Sequence, residues 1–342
     1  MAKDAEMTES SGFKDRKVRL VVLGVIQIIF GVLSALLVPF MILGIVASSA
    51  TGKGPAEGIS MKTMIPGILF YVVLAVWFIW IGVGSVMTRR WARALALVSS
   101  WVWLISGACA FVFMLMVLPD ISRRMGESGE IPKEAVLFVK CITGSVLALF
   151  YLGIPAAFVL LYSGKSVKET CERRDPRQRW TDKCPLPVFA LSFVFAVWAV
   201  SMLSMGLYKW AIPFFGSVVS GTKGAVIVLV LALVLAYIAR GMYKLDIKAW
   251  WCALLIHIAW SVSAIITFSV VSMEEFYEKM DFSKQQLEMM NRFNVMWDPG
   301  MKLFMGVWAV GVLAYLIYVR RYFTGAHRKS DSSQVIDQTQ AL

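Results

Sequence analysis

The chain is 342 residues long, 58% hydrophobic and only 16% charged, with a mean hydropathy of +0.70 and a formal net charge of +12. Water-soluble domains carry about 25% charged residues, so this composition excludes a soluble globular protein and describes an integral membrane one. The positive charge is dispersed over many short segments rather than gathered in one stripe, which argues against nucleic acid as a partner and for the lipid bilayer.

After a polar tail, residues 1–19, eight long uncharged stretches follow in order: Leu20–Ala47, Thr63–Thr88, Ala94–Pro119, Cys141–Gly164, Cys184–Tyr208, Gly224–Ala239, Ala249–Met273 and Leu303–Val319. About 20 apolar residues in a helix cross roughly 30 Å of hydrocarbon, so each is predicted to span. The first is too long for a signal-peptide core of about 7–15 residues and reads as an uncleaved span. With the N-terminus inside, the inner segments hold 22 of the 34 cations and the outer segments 12. Lys and Arg are retained on the cytoplasmic side, so a cell-membrane protein with both termini cytoplasmic is expected.

The expected fold is all-α and polytopic: a first four-helix membrane repeat over 20–164, a cytoplasmic linker over 165–183, a second repeat over 184–322, and a tail over 323–342. The duplication is read from Trp91-x₂-Ala94-Leu95 and Trp250-x₂-Ala253-Leu254, each preceded by a cationic turn and followed by a further tryptophan, Trp101 and Trp260, at a separation of 159 residues. Gly82 pairs with Gly241 in the same register, and Val38-Pro39-Phe40 resembles Ile212-Pro213-Phe214. Four is even, so the copies are parallel and the expected pseudo-twofold axis runs along the membrane normal. Trp91 and Trp250 are expected at the membrane interface, where an indole buries its ring and hydrogen-bonds at headgroup depth. Trp101 and Trp260 lie about 15 Å deeper and are candidates for the seam between the halves.

The linker Gly164–Pro187 holds seven cations and four acids. It is expected to be a water-facing joint, or else a docking site for a protein partner or lipid headgroup. On the outer side, Ser272–Phe293 places Met273, Phe276, Tyr277, Met280, Leu287 and Met290 at helical spacing opposite acidic residues. This predicts an amphipathic helix lying on the surface, or a second partner surface. Cys109, Cys141 and Cys252 fall in or beside spans and Cys171 and Cys184 on the inner side, so disulfides and a metal site are not expected.

No Asp, Glu, Lys or Arg lies inside any stretch, although proton relays and ion-coupled transporters are built from such residues. Gln27 and His257 are the strongly polar residues within spans. Both sit about 12 Å from their inner ends at 1.5 Å per residue, a depth at which they could meet, and with Trp101 and Trp260 they form the candidate substrate-binding set. No catalytic constellation is legible: a membrane metalloprotease needs a His-Glu-x-x-His motif, an aspartyl protease two intramembrane Asp, and a serine hydrolase a carboxylate to orient its histidine. Of the two histidines, His327 lies in the tail, which leaves no bis-histidine haem pair within the spans, and no cofactor is expected. Two functions remain: a carrier or facilitator for an uncharged or lipid-like solute at the seam, or a non-transporting scaffold that binds a partner through the linker or the outer helix.

Overall fold

The computed structural model describes residues 15–50, 61–127, 133–282, 287 and 305–323. Among them, seven helices are long and apolar enough to cross a membrane: Lys17–Gly44, Ile65–Val86, Arg90–Val112, Leu137–Ser163, Leu186–Tyr208, Gly221–Tyr243 and Ile247–Val270. They coincide with the first seven predicted stretches, and residues 305–323 form a further helix over most of the eighth. The chain is a multi-pass helical membrane protein. Helices are the form that lets apolar segments satisfy every backbone polar group without water.

In chain order the elements are α1 (Lys17–Ala50), α2 (Met61–Val86), α3 (Arg90–Glu127), α4 (Lys133–Ala148), a π-helical turn (Leu149–Gly153), α5 (Ile154–Ser163) and α6 (Lys165–Arg174). A short 3₁₀ turn (Trp180–Asp182) leads to α7 (Leu186–Met202), a 3₁₀ stretch (Leu203–Tyr208), strands β1 (Ile212–Phe214) and β2 (Ser217–Val219), α8 (Gly221–Tyr243), α9 (Ile247–Val270) and α10 (Met273–Lys279). Residues 305–323 are α11. The π turn has a local cause. Pro155 offers no N–H to the carbonyl of Tyr151 four residues before it, and its ring crowds that carbonyl, so the backbone widens. The Tyr151 carbonyl then rests directly on Gly107 of α3, where any side chain would collide.

The chain divides into two compact units, Met1–Gly44 with Gly67–Lys183 and Ile45–Pro66 with Cys184–Leu342. Each is built around a short helical hairpin, α2–α3 in the first and α8–α9 in the second. The two turns are alike in detail. Thr88 (φ 54°) and Leu245 (φ 59°) both adopt the left-handed conformation. The N–H of Thr88 donates to Ser85 O and that of Arg89 to Gly84 O, while Leu245 donates to Met242 O and Asp246 to Gly241 O. These bonds stand 157 residues apart, not 159 (Thr88 against Leu245).

The buried positions repeat the correspondence. In α2, Ala75, Ile81, Gly82, Gly84 and Ser85 are buried; 157 residues on, so are Ala232, Ile238, Ala239, Gly241 and Met242. In α1, Leu20, Leu23, Gly24, Gln27 and Gly31 are buried, and 168 residues on (Leu20 against Val188), so are Val188, Leu191, Ser192, Phe195 and Ala199. Pro155, Phe158 and Tyr162 of α5 answer to Leu316, Val319 and Phe323 of α11 at 161 (Tyr162 against Phe323). One contact joins two of these registers: a Cβ on Gly24 would lie 2.6 Å from Gly82 O, and at the corresponding place Ser192 Oγ donates to Ala239 O at 2.7 Å.

Several expectations are corrected. In the turn register Trp91 answers to Lys248, Trp250 to Arg93, and Trp260 to Trp103 rather than Trp101, because the hairpin turns and not the tryptophans fix the spacing. Gly82 faces α1, whereas Gly241 faces Ala249 across its own hairpin, the place Gly84 holds against Ala92. Pro39 lies within α1 while Pro213 lies in a strand, so their tripeptides are not equivalent. Within this all-α architecture, β1 and β2 form one short antiparallel hairpin pairing Ile212 with Val219, tied to α9 by Phe215 N–H to Ser263 Oγ and Gly216 N–H to Thr267 Oγ1. The expected amphipathic helix, capped by Ser272 Oγ accepting from Glu275 N–H, stops at Lys279. Asp281 takes a φ of 70° and Phe282 N–H returns to Tyr277 O; residues 283–286 and 288–300 of the expected helix and its surroundings lie outside the described residues.

Candidate functional site

The linker end of the first unit concentrates the polar chemistry. Gln27 on α1, Ser85 near the end of α2 and Tyr162 near the end of α5 are 3%, 1% and 0% exposed. The Tyr162 hydroxyl donates to Ser85 Oγ at 2.9 Å, the Ser85 hydroxyl donates to Gln27 Oε1 at 3.3 Å, and the Tyr162 oxygen stands 3.2 Å from the same Oε1. Three helices are thereby joined by groups that would each be costly alone in an apolar core. The close approach of α1 and α2 at Gly24 and Gly82 brings Gln27 and Ser85 within reach.

Beside this triad the linker is folded, not a solvated joint. Val167, Thr170 and Cys171 of α6 are buried, as are Asp175 and Thr181 beyond it. Asp175, 3% exposed, is the hub. Arg179 Nη2 and Nε donate to its two oxygens at 2.7 and 3.0 Å, Arg89 stands 3.7 Å away, and the N–H of Arg90 donates to it at 3.4 Å at the start of α3. Arg90 also pairs with Glu172 at 3.2 Å and Asp182 at 3.3 Å. Arg174 pairs with Asp15 at 2.7 Å, and Arg16 N–H donates to Thr170 Oγ1 at 3.0 Å. The linker therefore clasps the first residues of both α1 and α3.

The hydrogen bonds from Arg179 hold the Asp175 carboxyl below the usual carboxylate range against the opposing effect of burial. Burial pushes the Cys171 thiol up to about 11 and Cys184 to about 12. Neither is a thiolate at neutral pH, although Arg93 draws the Cys171 value the other way; nucleophilic or redox work by these cysteines is disfavoured. All five cysteines are free.

Of the residues singled out from sequence, Gln27 finds its partners within the first unit and His257 within the second. His257 Nε2 lies 2.9 Å from the Ala309 carbonyl, which can only accept, so Nε2 carries the proton. Trp101 and Trp260 are 46% and 38% exposed and are not drawn into either polar cluster. Trp91 stacks on Trp80 with ring centroids 4.8 Å apart. Trp250 is 2% exposed and donates to Leu316 O at 2.9 Å, while its neighbour Trp251 is 46% exposed. Ser85, Tyr162 and Asp175 were not legible as site residues. A hydroxyl in a span is ordinary, and only the Asp175–Arg179 spacing of four hinted at a local ion pair.

No protein-family model, curated protein or solved structure matches this chain. Fold and geometry define a class, a multi-pass helical membrane protein with a closed polar core and an ion-paired clasp at one end of its first unit.

Proposed function

We propose that the chain is a non-transporting scaffold or assembly subunit of the cell membrane, with both termini cytoplasmic and two parallel copies of one four-helix plan. The conserved hairpin geometry and the shared pattern of buried positions support the duplication. The observation that carries the scaffold reading is the internal closure of the intramembrane polar groups. Gln27, Ser85 and Tyr162 satisfy one another at 0–3% exposure, and His257 is spent on a backbone carbonyl. A solute pathway needs such groups turned toward it. What the first unit does offer outward is Trp180, 45% exposed, among exposed Arg173, Arg174, Arg177 and Lys183. Trp and Arg are the residues that dominate protein interfaces, and here they stand on a frame fixed by Asp175. An acidic protein surface is the fitting partner.

A second reading, a facilitator for an uncharged solute, is favoured by the π turn at Leu149–Gly153, since such turns and broken spans recur at functional sites. Stopped-flow permeation of glycerol into vesicles containing the purified protein separates the two. The scaffold reading expects the rate of protein-free vesicles and, in native membranes, a discrete adduct from a photo-crosslinker at Arg177 but not at Lys209. Faster permeation that Gly107→Leu abolishes establishes the facilitator instead.

A further inference from the structure

Only three buried side-chain nitrogen or oxygen atoms among the described residues lack a hydrogen-bond partner: Arg16 Nε, Arg93 Nε and Thr181 Oγ1. All three can donate; Arg16 and Arg93 lie against α6, and Thr181 lies in the turn beyond it, which packs on α3. Arg16 is tied by its backbone to Thr170. Arg93 is within electrostatic reach of Cys171, Glu172 and Asp182. Thr181, 3% exposed, precedes Asp182, which pairs with Arg90 one helical turn before Arg93. A buried donor without an acceptor forfeits its hydration with no return, and such atoms call for a partner. The nearby carboxylates cannot supply it. Asp175 is engaged by Arg179 and Arg89, while Glu172 and Asp182 are engaged by Arg90. Six guanidinium groups, on Arg16, Arg89, Arg90, Arg93, Arg174 and Arg179, share four carboxylates, Asp15, Glu172, Asp175 and Asp182, which leaves positive charge and donors in excess. The second unit provides the internal control. At the position of Arg93 it carries Trp250, whose single donor is matched to Leu316 O.

We propose that the linker end of the first unit binds a phosphate-class oxyanion, with Arg93 and Thr181 as its principal donors and Arg16 at the other side of α6. Guanidinium and hydroxyl groups fit an anion with several oxygens. Arg93 lies one turn inside the first residue of its span, at the depth of lipid headgroups, so the oxyanion is carried by a lipid or comes free from solution.

The test uses the full-length protein purified in phosphate-free neutral detergent, titrated with inorganic phosphate, with short-chain phosphatidic acid, or with chloride at matched ionic strength, and read by thermal unfolding. Wild type should be stabilised by at least one phosphate probe beyond chloride. Stabilisation by the lipid alone assigns a headgroup, and stabilisation by inorganic phosphate assigns a soluble anion. Arg93→Gln should raise the Kd about tenfold or more, and Arg93→Lys should not restore it, because the charge returns without the Nε donor. Arg240→Gln, on the exposed surface of the second unit, should change the Kd by less than about twofold. Should Arg93 variants fail to fold, Thr181→Val should weaken binding while Thr181→Ser retains it. The proposal is overturned if neither probe stabilises more than chloride, or if Arg240→Gln weakens binding as much as the substitutions at Arg93 and Thr181.

Discussion

At corresponding places the first unit buries Gln27, Ser85 and Tyr162 and the second buries Phe195, Met242 and Phe323. Both sets are sealed from solvent, one by mutual hydrogen bonds and the other by apolar packing. Helix contact and turn geometry are thus independent of what fills the core. The hairpins share their backbone bonds, and the α1–α2 and α7–α8 contacts fall at equivalent points, with Gly24 on Gly82 in one and Ser192 on Ala239 in the other. The smaller pair admits a closer approach, which suits a short hydrogen-bonded core; the larger pair leaves room for phenylalanine. The same contrast continues outward, with Arg93 and its orphaned Nε on one side and a fully satisfied Trp250 on the other.

The contrast can be broken most severely in the apolar core. Phe195→Ala should cost roughly 3–5 kcal/mol of stability in detergent unfolding, as cavities left by a buried phenylalanine do; a loss below about 1 kcal/mol would mean that Phe195 does not fill a core. Next is Asp175→Asn, which leaves Arg179 without its bidentate acceptor and should cost about 2 kcal/mol, less than a fully buried pair because Arg179 and Arg89 keep some access to water. The same residue gives a pH signature. Its folded carboxyl titrates below the unfolded one, so its contribution is complete above the ordinary carboxylate range, near pH 4, and is lost as pH falls through the lower folded value. Wild type should lose stability there more steeply than Asp175→Asn, and parallel pH profiles would remove Asp175 as the hub of the clasp.

Smaller effects sharpen the comparison within the membrane. Tyr162→Phe removes the donor that joins α5 to Ser85 and should cost about 1 kcal/mol, whereas Phe158→Leu, one turn away, perturbs packing but leaves the triad's hydrogen bonds in place, a difference visible in hydroxyl hydrogen exchange. The smallest is His257→Leu, which gives up one bond to the Ala309 carbonyl and should cost about 0.6 kcal/mol, the mean for intramembrane hydrogen bonds. A loss several times larger would show that His257 does more than cap that carbonyl.

Seven spans were legible in sequence because hydropathy and charge alone determine where a helix can cross. Gln27 and His257 were legible as polar exceptions. Their partners were not: which face of α5 carries Tyr162 inward depends on packing, and a backbone carbonyl such as that of Ala309 has no sequence signature. The 157-residue spacing of the two hairpin turns is not legible for a related reason. Trp91 and Trp250 are conspicuous letters, but the hairpin is set by left-handed Thr88 and Leu245, neither of them a glycine that would mark a turn. The folded linker is not legible either, because charged residues suggest water, whereas Asp175 is buried by the arginines around it.

Two copies of one four-helix plan would bring Phe195, Met242 and Phe323 together in the second unit as Gln27, Ser85 and Tyr162 meet in the first. This convergence is tested most directly by rebuilding the polar triad there and measuring unfolding free energies of Phe195→Gln, Met242→Ser, Phe323→Tyr and the triple variant. Each single change buries a polar group or opens a cavity and should destabilise. If the three positions converge, the triple variant should be more stable than the three losses added together by about 1 kcal/mol or more, the energy of the restored hydrogen bonds. Strict additivity, or a triple variant worse than the sum, would contradict the correspondence of the two cores.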